Sequence, residues 1–241
     1  MQVVIFCGGK ATRLRPYTDE LPKALIQIGD KPILWHLMKI YSQHGHKNFV
    51  LCLGYFGNKI REYFQNPENR EADWNITFVD TGEDSSKAER LRRVKDFIKE
   101  DNFLVAYGDD LSDVNINDVV KFHLDNKKIV TLTAVNLISQ FGILELDENE
   151  VKQFKEKPKL DYWINGGYFV FNKKIFDYLR SDWELEKEVF EKLVSEKQIA
   201  AFKHPGFWMT MNTLKDTIEL NDLWKSGELK RILYHEEIQK S

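Results

Sequence analysis

The 241-residue chain is poor in cysteine and proline and has no long apolar run, and each shortage excludes something. Its two cysteines, Cys7 and Cys52, each lie inside an apolar run, so they read as buried thiols rather than as a disulfide. No apolar stretch approaches the roughly 20 residues of a membrane span. The opening MQVVIFCGG enters a strand at once, without a charged leader or cleavage site, so the expectation is a cytoplasmic protein with no signal peptide. Positive charge is not in excess either. Lys and Arg number 35 against 38 Asp and Glu, and the net charge of -3 argues against a general nucleic-acid binder. Repeats, low-complexity tracts and Pro/Gly linkers are also missing. What is there is a globular mixture, 42% apolar and 30% charged, long enough to bury roughly 70–75% of its unfolded surface.

Short apolar runs alternate with helical patterns in the first half. Val3–Cys7, Asn48–Leu53, Ile76–Val79, Phe103–Tyr107 and Ile129–Val135 read as buried strands. Between them, Asn58–Phe64, Ala88–Lys99 and Asn115–Asn126 read as helices. Asp30 is expected to cap another helix, with Pro32 in its first turn and Gly45 as its stop. Strands alternating with helices predict βαβ units around a mostly parallel, Rossmann-like sheet. From residue 140 the rhythm changes. FGILEL and VKQFKEK read as paired strands around an Asp147–Asn149 turn, GGYFVF as another strand, and Lys173–Leu179 and Leu185–Lys197 as helices. Thr213 and Asp216 carry the spacing of a capping box. One α/β domain over 1–241, flanked by helices and more irregular after residue 136, is the resulting expectation.

Ligands of an open parallel sheet bind beyond the carboxyl ends of its strands. Those ends carry Cys7-Gly8-Gly9, Asp80-Thr81-Gly82 and Tyr107-Gly108-Asp109-Asp110. A glycine pair lets backbone N–H groups approach phosphate oxygens without a Cβ in the way. Arg13 can fork onto phosphate, and Lys23 adds a point charge. The loop is neither a Walker loop nor G-x-G-x-x-G. Asp109, directly after the strand-end glycine, suits Mg²⁺, which takes few carboxylates plus phosphate oxygens. Asp110 and Asp113 read as turn or cap residues. Lys157, placed before a proline, is expected in extended chain. Glu156 and Asn165 suit sugar hydroxyls, although Lys155-Glu156-Lys157 alone reads as a solvated face. His36, His44 and His46 lack zinc-like partners.

Together GGKATRLRP, Pro22-Lys23, DTG, YGDD, EKP and INGG occur in the order and approximate spacing of the sugar-phosphate nucleotidyltransferases, which the chain resembles over nearly its whole length. KPILWHLMKIYSQHG, LGYFGNKIREYF, RLRRV and HPGFW resemble the family's cytidylyltransferase subgroup. The resemblance implies a GT-A-like fold with a nucleotide-binding half at 1–136 and an acceptor-binding half at 137–241. It implies transfer from an NTP, CTP first, to a sugar 1-phosphate, glucose 1-phosphate first, with release of pyrophosphate. Gly8, Gly9, Thr12 and Arg13 would hold the triphosphate, with Thr81 and Gly82 on the nucleotide and Lys23 near the α-phosphate. Asp109 would bind Mg²⁺, and Glu156, Lys157, Asn165 and Gly166 the sugar phosphate. Such chemistry needs in-line placement and charge neutralisation rather than a strong base.

Three departures stand out. Ala11 replaces the loop's second glycine, and Lys87-Ala88-Glu89 replaces a Thr-Gly-Gly that helps embrace the base. Asn212 stands where the family has a metal-binding aspartate, and it is carried here as a weaker metal ligand. The segment between Phe64 and Trp74 is short, so an oligomer interface built there in relatives is expected to be missing; a homo-oligomer stays open. Other acceptors, including a non-sugar phosphate, follow from these departures. A glycosyltransferase using Asp109-Asp110 and Asp113 would leave GGKATRLRP and Lys23 without a role. A non-catalytic nucleotide-sugar sensor is motivated only by Asn212.

Overall fold

A computed structural model describes residues 1–14, 17–139 and 141–234. The strands are β1 (Gln2–Phe6), β2 (Gln27–Ile28), β3 (Lys31–Pro32), β4 (Asn48–Leu53), β5 (Asn75–Asp80), β6 (Asn102–Tyr107) and β7 (Asp110–Ser112) in the first half. β8 (Val130–Ile138), β9 (Ile143–Asp147), β10 (Glu150–Lys155), β11 (Lys159–Asn172), β12 (Ile199–His204) and β13 (Trp208–Thr210) follow. The helices are α1 (Ile33–Gln43), α2 (Gly57–Gln65), α3 (Lys87–Arg93), α4 (Ile116–Asn126), α5 (Phe190–Ser195), α6 (Leu214–Lys225) and α7 (Glu228–Tyr234).

Among the described residues the central sheet has seven strands in the order β12-β8-β11-β6-β1-β4-β5. β1 pairs in parallel with β4 and β6, β4 with β5, and β8 with β12, while β11 runs antiparallel to both neighbours. The expected mostly parallel α/β sheet is therefore present. Side chains alternate between its faces with period two. Val3 and Ile5 join the core under α1, α2, α6 and α7, and Val4 and Phe6 join a second core under α3 and α5. Coverage on both faces explains why these strands are continuously apolar.

Several local expectations change. Asp30 does not cap α1: Gly29-Asp30 turns β2 onto β3, and Pro32 precedes the helix. The expected 88–99 helix ends at Arg93 and continues as a 3-10 turn over Lys95–Phe97. Lys173–Tyr178 is 3-10, and 185–189 is a π turn before α5. GGYFVF is the inner part of a 14-residue strand, whose register slips between Asn165 and Phe169. Gly167 takes φ +78° in that bulge, a conformation that favours glycine. The Thr213–Asp216 capping box forms as expected.

β9 and β10 make a separate antiparallel hairpin with Glu148 at φ +49° in its turn. Because β8 runs parallel to β6, and β11 antiparallel to it, this arm leaves the sheet at the carboxyl end of the parallel strands. Lys157, expected to be extended, has φ +44° where the chain turns from β10 into β11. The return of the arm to the sheet overrides the local preference of a residue before proline.

Candidate active site

A cleft of about 730 Å³ opens at the carboxyl ends of β1 and β6 and contains Gly8, Gly9, Arg13, Lys23, Asp109, Asn165 and Asn212. Close packing at the strand ends explains the glycines. A Cβ on Gly8 would stand 2.7 Å from the Gly54 nitrogen, and one on Gly108 would stand 2.7 Å from the Phe6 carbonyl oxygen. The Gly8 carbonyl points into the scaffold, accepting from the Tyr55 backbone N–H (3.0 Å) and Arg90 (3.1 Å). Among the described residues, the N–H groups of Gly8, Gly9 and Lys10 have no backbone or side-chain acceptor. Three unpaired donors in a glycine loop can receive an anion's oxygens. Ala11 follows at φ +46°, so the residue replacing the second glycine adopts a backbone that favours glycine.

On the opposite wall, the short ladder between β7 and β13 carries Asn212 to Asp109, helped by a 3.0 Å bond from the Met211 N–H to the Asp109 carbonyl. The Lys23 ammonium is paired with the Asp109 carboxylate and donates to Asn212 Oδ1 at 2.9 Å. Arg13 donates to the same amide oxygen at 3.4 Å. The Asn212 amide nitrogen donates to Thr210 (3.0 Å), which fixes Oδ1 toward the cations. Thr213, not Asn212, caps α6. Two oxygen donors, one of them charged, thus converge on one positive group. That donor set fits a hard cation completed by phosphate oxygens. No cluster of three or more His, Cys, Asp or Glu side chains suited to a metal occurs among the described residues.

Asp110 and Asp113 are neither turns nor caps. Asp110 is buried in β7, and its carboxyl is pushed well up, first by burial and then by the neighbouring Asp109 charge. Asp113 accepts from His204 at 2.8 Å. The three aspartates therefore do not share a metal site, which removes the basis of the glycosyltransferase alternative. Cys7 and Cys52 are buried free thiols; burial pushes Cys7 up to about 12.

The remaining candidates lie outside the cleft lining. Thr12 is exposed on the 3-10 turn Thr12–Leu14. Thr81 is fully buried behind the cleft, donating to the Leu53 carbonyl (2.7 Å), and Gly82 takes φ +83° beside it. Glu156 and Lys157 are exposed at the base of the arm. Gly166 is buried beside the cleft, its carbonyl accepting from the Trp208 indole at 2.8 Å.

From sequence, Lys87, Arg90 and Tyr107 stand only inside motif segments, without a role of their own, and Glu186 only inside the expected Leu185–Lys197 helix. Arg90 is buried and donates to the Leu53, Gly8 and Glu83 carbonyls and to the Thr81 hydroxyl, binding the ends of β1, β4 and β5 together. Its sequence signals were its place at the head of RLRRV and beside the Ala88, Leu91, Val94 apolar stripe. Glu89, held down to about 2 chiefly by Arg92 and also by Arg93, stiffens the same helix.

The nucleotidyl transferase family profile matches residues 2–226. Glucose-1-phosphate cytidylyltransferases of Salmonella typhi and Salmonella typhimurium (strain LT2) are each 42% identical over 252 residues, covering 95% of this chain and 97% of those proteins. The crystal structure of HddC from Yersinia pseudotuberculosis superposes with a TM-score of 0.72 at 21% identity, covering 92% of this chain and 99% of that one. That last likeness speaks to the fold alone.

Proposed function

The chain belongs to the nucleotidyl transferase family, and from that premise we propose that it joins CTP to glucose 1-phosphate and releases pyrophosphate. The convergence of Arg13, Lys23, Asp109, Asn212 and the Gly8–Lys10 donors on one cleft carries this reading. The identity to two glucose-1-phosphate cytidylyltransferases supports the choice of substrates.

In the reaction, a phosphate oxygen of the sugar phosphate attacks the α-phosphorus of CTP. A new oxygen–phosphorus bond forms as the bond to the bridging oxygen breaks, and its electrons leave with pyrophosphate. Both reactants are anionic, so placement and charge compensation dominate the barrier. Gly8, Gly9 and Lys10 would receive the triphosphate on their free N–H groups, with Arg13 and Thr12 beside them. Lys23 would move from its two oxygen partners onto the α-phosphate, where charge develops. Asp109 and Asn212 would then be free to hold Mg²⁺. When bound, that ion supplies further neutralisation of the triphosphate. Thr81 and Gly82 support the nucleotide side through Arg90 and the 83–86 loop. Asn165 and Gly166 would take the acceptor, joined by Glu156 and Lys157 from an arm that leaves the sheet at this same end.

A panel of four NTPs against several sugar 1-phosphates, read by pyrophosphate release, tests the proposal. The expected result is release with CTP, Mg²⁺ and glucose 1-phosphate together and with no component alone. No pyrophosphate from any pairing overturns it.

A further inference from the structure

Three cleft-lining side chains, Lys87, Tyr107 and Asn165, join Glu186 in a directional hydrogen-bond chain, of which the reaction scheme uses Asn165 alone. Lys87 opens α3 and Tyr107 ends β6, both in the nucleotide half; Asn165 lies on β11 and Glu186 in the π turn, both in the acceptor half. Glu186 Oε1 accepts from both the Tyr107 hydroxyl and the Lys87 ammonium. The Lys87 ammonium also sits 4.4 Å from the centroid of the Tyr107 ring. Tyr107 in turn accepts from the Asn165 amide nitrogen at 3.2 Å, and Asn165 Oδ1 accepts from the Gly167 N–H at 3.0 Å.

Direction is what makes this arrangement informative. A carboxylate has no proton to give, so the tyrosine proton must point at Glu186 and the tyrosine oxygen can only accept from Asn165. That forces the amide nitrogen toward Tyr107 and the amide oxygen toward Gly167. One amide N–H of Asn165 is left without an intrachain acceptor among the described residues, on a residue that lines the cleft. A tyrosine hydroxyl carries its proton at neutral pH, so the direction set by the carboxylate holds. The neighbouring Ser86 hydroxyl donates to the Trp183 carbonyl at 3.0 Å, a second tie between α3 and the segment carrying Glu186.

We propose that Glu186, acting through Tyr107 and anchored by Lys87, is a positioning residue that orients the Asn165 amide to donate to an oxygen of the sugar phosphate. This rests on the nucleotidyl-transfer reading above and adds to it a specificity-setting device. It also gives a role to Lys87 at the start of α3. Chained hydrogen bonds in a partly desolvated wall polarise one another, so cutting any link should be felt at Asn165.

The test compares Tyr107→Phe, Glu186→Ala and Glu186→Gln with wild type, using CTP and glucose 1-phosphate or the pair the panel selects. Tyr107→Phe and Glu186→Ala should each raise the KM for the sugar phosphate about tenfold while the KM for the nucleotide stays within about twofold. Glu186→Gln, whose amide oxygen still accepts the tyrosine proton, should return to within about threefold of wild type. Tyr107→Phe keeps the ring that packs on Phe169, so loss of fold does not cloud the readout. Equal rises in both KM values, no change in either, or a Gln variant as impaired as the Ala variant would overturn the positioning role. An inactive wild type across the whole panel would instead overturn the nucleotidyl-transfer reading beneath it.

Discussion

Leu51 and Leu144 are the same residue on strands of the same chain, yet Leu51 in β4 is fully buried and Leu144 in β9 is 50% exposed. The contrast extends to the regions around them. The cleft is built on strands covered on both faces, and Arg90 ties three of their ends together with four hydrogen bonds. The arm places Leu144 opposite Phe154 and Leu146 opposite Val151, an apolar hairpin face with nothing packed over it among the described residues. A buried parallel sheet fixes where its strand ends point. A two-stranded hairpin has no core to do so. The phosphate-handling candidates therefore converge, while Glu156 and Lys157 stand apart on the arm.

The sharpest way to break this comparison is to truncate both leucines. Leu51→Ala should cost about 3 kcal/mol in urea unfolding, and Leu144→Ala under about 0.5 kcal/mol. Similar costs would mean that the arm is packed in solution. Arg90→Met should cost about 2 kcal/mol, because it leaves buried acceptors unpaired; a neutral result would show that the strand ends do not depend on it.

Acid sharpens the comparison from another side. Burial lowers His36, and it lowers His46 and His123 to about 4 each, all three lying in the packed body. Their unfolded value is about 6.5, so the unfolded chain binds more protons between pH 6.5 and 4. This stability is complete above pH 6.5 and falls as pH drops through about 4. Tm measured from pH 7 to pH 4 should decline, and the decline should be shallower in His123→Asn. The last effect is local. Ala11→Gly should raise stability by about 1 kcal/mol by relieving the left-handed backbone, read as a small rise in urea midpoint.

Much of the body was legible because period-two burial and strand-end glycines are local signals. Asn48–Leu53 matches β4 residue for residue, and the Thr213 box forms as spaced. Asp30 and Lys157 departed from their local preferences because turns returning the chain to tertiary partners decided their backbone. Gly8, Gly9 and Asp109 could be chosen from sequence since each follows a strand end, whereas Arg13 and Lys23, on 3-10 turns, were chosen for their charge and the family's motif order. The roles of Arg90, Tyr107 and Glu186 could not be read there, because they depend on contacts spanning 37 to 99 residues and, for Glu186, on a π turn with no sequence signature. Asn212 was visible as a substitution, but its bonds to Lys23 and Arg13 were not.

Pyrophosphate release from CTP and glucose 1-phosphate, measured side by side for wild type and Asp109→Asn, addresses the shared phosphate cleft most directly. Wild type should need both substrates and Mg²⁺, and Asp109→Asn should lower kcat about a thousandfold with its Tm nearly unchanged. Release that persists undiminished in Asp109→Asn would contradict the assignment of this cleft as the place where the two phosphates meet.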